Sequence, residues 1–147
     1  MNPTVQGIVA VTGRVFLSAI FLLSAVGNKI PNFQGTTQFM ASAGVPAPEL
    51  MLVGAIAFLV IGSLSLILGF YARIGAALLA IFLALAAYYF HNFWDLQGHA
   101  AMEQQIHFMK NLSMFGAMLF IIAVGSGPWS LDHVIFQNRE DRTVRAL

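Results

Sequence analysis

The chain contains no cysteine, which excludes disulfides, thiolate metal sites and thiol redox chemistry within it. Charge is nearly as scarce: Asp, Glu, Lys and Arg together make 9% of 147 residues, and the net charge is +1. A soluble domain of this size needs a charged exterior, so that class is excluded as well. No dense basic run is present to bind nucleic acid. No internal repeat or low-complexity tract stands out.

Apolar residues fill the space, at 59% of the sequence and a mean hydropathy of +0.79. Leu50 to Ala72, Ile74 to Trp94 and Asn111 to Leu131 run for 23, 21 and 21 residues without a charge. Each matches the ~20 residues with which a helix crosses a hydrocarbon core. A fourth apolar run, from Val5 to Val26, carries Arg14. It has the look of a signal peptide, but it extends upstream of Arg14 and is read as a retained span. The expectation is an all-α, integral membrane four-helix bundle in one domain, residues 1–147, with spans near 3–26, 49–71, 73–93 and 99–126. A charged tail covers 130–147.

The connections are readable too. Gly27-Asn28 is expected to stop the first span. Residues 28–49 are too polar to cross, and Phe33, Phe39 and Met40 suggest a segment lying on the membrane surface. Gly54, Gly62, Ser65 and Gly69 share one face of the second span, and Ala76, Ala80, Ala84 and Ala87 one face of the third. Small residues let helix backbones approach in lipid. Arg73, Arg139, Arg142 and Arg145 fall on the side of the termini, Lys29 and Lys110 on the other, which predicts cytoplasmic termini.

Three groups of polar residues need explaining. Arg14 lies roughly 16 Å along the first helix. At such depth an arginine costs about 2.5–3.5 kcal/mol unless it snorkels or finds a partner, and Asp132 is the nearest candidate. His91, Asp95, His99, Glu103 and His107 recur at every fourth position. On one helix His99, Glu103 and His107 share a face, a ligand set suited to zinc or non-haem iron. Their outer members stand ~12 Å apart along the axis, too far for one ion, so a solvated helix start is favoured over this weak metal site. Finally, Asn28 and Lys29, His91 and Asn92, and Lys110 and Asn111 close or open three spans at one level. They form either the mouth of a pocket or a set of ordinary interfacial anchors.

The segments "GRVFLSAIFLLSAVGNKI", "FMASAGVPAP", "LILGFYARIGAALLA", "FHNFWD", "FMKNLSMFGAML" and "GSGPWSLD" together resemble the DoxX family of small bacterial membrane proteins. That resemblance implies a four-helix bundle in the bacterial inner membrane and a quinone-linked or accessory, oxidoreductase-associated role. It maps family positions onto Arg14, Lys29, His91, Asn92, Lys110, Asn111 and Asp132. The chain departs from the family at Leu59, where many relatives carry a glutamate. In the resulting expectation a quinone or small sulfur oxyanion meets Lys29, Asn92, Lys110 and Asn111, with His91 as the catalytic proton-transfer group. Arg14 and Asp132 are structural charges. Competing readings are a non-catalytic subunit or scaffold of a larger complex, a homo-oligomer included, and a small-solute transporter.

Overall fold

The structure is a computed structural model, and it describes residues 2–135. Arg139, Arg142 and Arg145, on which the expected sidedness largely rests, lie outside the described residues, as does most of the charged tail. Among the described residues there is no strand, and the complete α-helices are α1 (Pro3–Ser24), α2 (Phe33–Ser42), α3 (Pro48–Leu68), α4 (Ala72–Phe90) and α5 (Gly98–Val124), with residues 131–135 also helical. Four of them are long and apolar enough to cross a membrane.

Local sequence sets the helix ends. The Asn2 side chain accepts from the Thr4 amide at 2.9 Å, and Pro3 occupies the first position, where its missing N–H costs nothing. α3 has no side-chain cap, but Pro48 opens it and Glu49 places an acid in its first turn, and it ends at Gly69 with φ 62°. Gly27-Asn28 does not end the first span, contrary to expectation. The chain instead passes into a π-helical turn over Ala25–Lys29. Its i→i+5 repeat stacks residues five apart, which an α-helix does not. Lys29 thereby reaches back to Ser24, its Nζ donating to Oγ at 2.6 Å.

Close backbone approaches join α1 to α3, α3 to α4 and α4 to α5; none of comparable extent joins α1 to α5 among the described residues. The helices therefore form an open row with α1 and α5 at its edges. The core lies in the middle of the row, around Phe21, Leu59, Leu66, Leu79, Leu83 and Met118. Leu59 is fully buried in this core.

The small-residue faces are used only in part. A Cβ on Gly62 would lie 3.0 Å from the Gly75 carbonyl and 2.7 Å from Leu79 Cγ, and one on Gly75 would strike Ser65. Ala76 and Ala80 are buried, but Ala84 is exposed and a Cβ on Gly54 would meet nothing within 4 Å. The backbone contact is confined to the half of the helices next to the three-residue turn between α3 and α4. Gly62→Ala is therefore expected to destabilise, because overpacking costs about 1–3 kcal/mol against a helix-propensity gain of about 1 kcal/mol. Gly54→Ala keeps only the gain. Unfolding midpoints of the two variants in one detergent check the contrast.

The segment between the first and second spans folds as a short helix that packs on the end of the bundle. Met40 is buried with Val45 and Leu52, and Phe33, Ile56, Tyr89 and Phe90 pack on that cluster. Phe39 stacks on Phe90 at 5.2 Å. Thus α2 lies over the ends of α3 and α4, held by its own small core.

Candidate functional site

The two ends of the row hold the polar residues, and they differ in kind. At the end carrying the N-terminus, Arg14 is only 6% exposed, which rules out a snorkelling side chain. Its guanidinium donates to backbone carbonyls in the segment after α5: Nη1 to Ser126 O at 3.1 Å and Nη2 to Trp129 O at 2.6 Å. Asp132 is not its ion-pair partner. The Asp132 carboxylate accepts from the amides of Tyr71 and Ala72 at 2.8 and 3.1 Å, capping the start of α4, while its own amide donates to Gly69 O at 2.8 Å. A carboxylate there also complements the helix dipole.

The depth inferred for Arg14 is corrected as well. Arg14 touches Gly69 and the segment just beyond Val124, so it stands level with the ends of α3 and α5. The first turns of α1 run past them, with Gly7 against the Trp129 ring and Ala10 beside Gly127. Counting from Pro3 overstated the burial in lipid because α1 overshoots its neighbours.

At the opposite end the helices enclose a cleft of about 540 Å³. Phe21, Leu52, Ala55, Phe82, Leu83 and Ala86 make its apolar wall, and α2 contributes Gly35, Thr36, Phe39 and Met40. Ser24, Asn28, Lys29, Asn32, His91, Gln104, His107 and Asn111 supply the polar groups, and no carboxylate among the described residues joins them. Lys29 Nζ stands 5.6 Å from the centre of the Phe82 ring, within cation–π range.

His91 is held from two sides. Its Nδ1 lies 2.8 Å from Gln104 Oε1, and its ring stacks on His107 with centroids 5.4 Å apart and planes 16° from parallel. In the tautomer that carries its proton on Nδ1, His91 donates to the Gln104 amide oxygen and keeps Nε2 as the basic atom, and the contact favours that form. A Gln104→Leu variant is expected to lose this preference, which nitrogen-15 NMR of the His91 ring reads directly.

The remaining candidates are placed as follows. Lys29, His91 and Asn111 share the cleft. Asn92 donates to Asp95 at 3.0 Å and stands outside it. Lys110 is exposed and lines a shallower groove beside it. His99 and Glu103 pair at 3.2 Å on the exposed start of α5, while His107 turns away from them to His91. Among the described residues no group of three or more His, Asp or Glu is placed to hold a metal ion. Ser24, Gln104 and His107 are cleft residues that the sequence reading did not single out as such. The three-residue step from Gln104 to His107 on a helix was the available signal.

Four apolar helices of spanning length, with polar groups gathered at their ends, define an integral membrane protein. The DoxX family model matches residues 9–92, more than half of the chain. The chain is 35% identical over 119 residues to the inner membrane protein YphA of Escherichia coli (strain K12), covering 81% of this chain and 84% of that one. It is 33% identical over 122 residues to the inner membrane protein YqjF of the same organism, covering 83% and 88%. No solved structure matches the chain significantly. The chain belongs to the DoxX family and is a multi-pass inner-membrane protein in contact with the lipid bilayer.

Proposed function

We propose that the cleft binds a quinone and that the protein is a quinone-linked or accessory component of a membrane redox system. The observation that carries this reading is the joint presence of Lys29 and the oriented His91 on the wall of one cavity with an apolar base. Its volume lies within the ~300–1,000 Å³ usual for small-molecule sites, which are largely apolar with a few placed polar groups. Lys29 donates to a ring oxygen, and Nε2 of His91 exchanges the proton that accompanies quinone reduction. Asn111 adds a further hydrogen-bonding group. Lys110 and Asn92 do not line the cleft, and in this reading neither touches the bound quinone. The same reading keeps the termini in the cytoplasm and turns the cleft to the opposite face.

Titration of the protein in nanodiscs with a short-chain quinone tests the reading. Lys29→Met is expected to weaken binding about tenfold or more, since a hydrogen bond to a charged group is worth about 1.5–3 kcal/mol. Absence of saturable binding to the unaltered protein contradicts the proposal. His91→Ala is expected to bind quinone but to lose the pH dependence of its turnover with a redox partner. A pH profile unchanged by that substitution removes the proton-transfer role.

The second reading is a non-catalytic subunit of a larger complex, favoured by the outer surface of α5, where Met102, Leu112 and Phe120 are exposed. Stoichiometric co-purification with another protein, without bound quinone, would select it.

A further inference from the structure

We propose that the cleft is loaded sideways from within the bilayer, between α1 and α5, by an amphiphile with a hydrogen-bonding head and a hydrocarbon body. This rests on reading the cleft as a ligand site, but not on which molecule occupies it.

The open row of helices is the first ground. α1 and α5 make few close backbone approaches among the described residues, although Leu17 and Phe21 share the core with Met114 and Met118, so the α1–α5 seam is the least closely joined wall of the cleft. The second is continuity. A groove of about 820 Å³ runs along α5 from Gln105 to Met114, and its one residue from α1 is Ile20. Ile20, His107, Asn111 and Met114 line both this groove and the cleft, so the two spaces meet at those side chains. The third is chemistry. Below the exposed Gln105 and Lys110 at the polar end of the groove, the lips of the gap are Ile20 and Met109, apolar and about half exposed at 53% and 52%. Such side chains suit lipid and make a poor aqueous entrance.

The opposite approach is obstructed. α2 covers the α3 and α4 side of this end, anchored by the buried Met40 and by the stack of Phe39 on Phe90. A ligand arriving on that side along the bundle axis from water would have to displace that packing. One arriving through the bilayer slides its hydrocarbon body between Ile20 and Met114 and brings its head to Lys29 and His91. Its tail then remains in the groove.

Photolabelling of the unaltered protein in vesicles containing a fatty acid with a mid-chain diazirine tests this. Phe82 and Ala86, on the inner wall of the cleft, are expected to be labelled along with the outward-facing Phe16 and Tyr88. Ile20→Trp, and separately Ser113→Trp, are expected to cut labelling of Phe82 and Ala86 severalfold and to leave Phe16 unchanged. Retained Phe16 labelling shows that a variant is still inserted. Label on the outward residues alone overturns the proposal. So does inner-wall labelling that neither tryptophan reduces, or that a membrane-impermeant diazirine achieves better than the lipid one. The probe contains no quinone, so failure to bind quinone and failure of lateral entry give separate results.

Discussion

Arg14→Ala is expected to be among the most destabilising single substitutions in this protein, by about 2–4 kcal/mol, because two partly buried carbonyls lose their donors at about 1–3 kcal/mol each. An opposing effect exists: the Nε of Arg14 has no partner, and removing a guanidinium removes its desolvation cost. The loss prevails because Arg14 stands level with the helix ends, where charge burial costs less than at the bilayer centre. The carbonyls of Ser126 and Trp129, by contrast, are fixed by the turn that Gly125 and Gly127 make at φ 91° and 72°. Arg14→Lys should recover part of the loss, since an ammonium lacks the fork that reaches two acceptors at once. Denaturant titration in mixed micelles ranks the three proteins.

Gly69→Ala is expected to cause a loss of similar size for two separate reasons. Gly69 has φ 62°, a left-handed conformation that costs a residue with a Cβ about 1–2 kcal/mol. The added carbon would also strike the Arg14 guanidinium and sit 3.0 Å from Ser130 Cα, which is backbone and cannot swing away. The two sites are in contact, so their effects should not add. In an Arg14→Ala background the clash with the guanidinium is gone, and Gly69→Ala should then cost less than it does alone. Additive losses would mean that Gly69 and Arg14 do not share one packed clasp. That clasp fastens α1, the turn between α3 and α4, and residues 125–132 at one end, while close backbone contact between α1 and α5 stays sparse.

Three spans are legible as charge-free stretches and the first as an apolar run carrying Arg14, and the helices fall within a few residues of those limits because lipid thickness dictates them. Single-residue detail was less accessible. The spacing of His99, Glu103 and His107 put three ligand types on one face, yet tertiary packing drew His107 to His91 and left the other two in solvent. Arg14 reads as a buried charge seeking an acid, since charge is visible in a sequence and a pair of backbone carbonyls is not. The π turn at Ala25–Lys29 has no sequence rule that would have separated it from an ordinary helix stop. The clustering of Lys29, His91 and Asn111 followed from their placement at span ends, which the helix count had already assigned to one level. Lys110, one residue from Asn111, points elsewhere: neighbours on a helix are ~100° apart, and span ends alone do not record that rotation.

The most direct measurement of the central claim is an experimental map of the protein in native lipid, inspected between α1, α4 and α5 at the Lys29 end. A ring-shaped headgroup in contact with both Lys29 and His91, its tail leaving past Ile20, is the predicted result. Acyl chains alone in the cleft, or a cleft closed by α1 meeting α5, would contradict it.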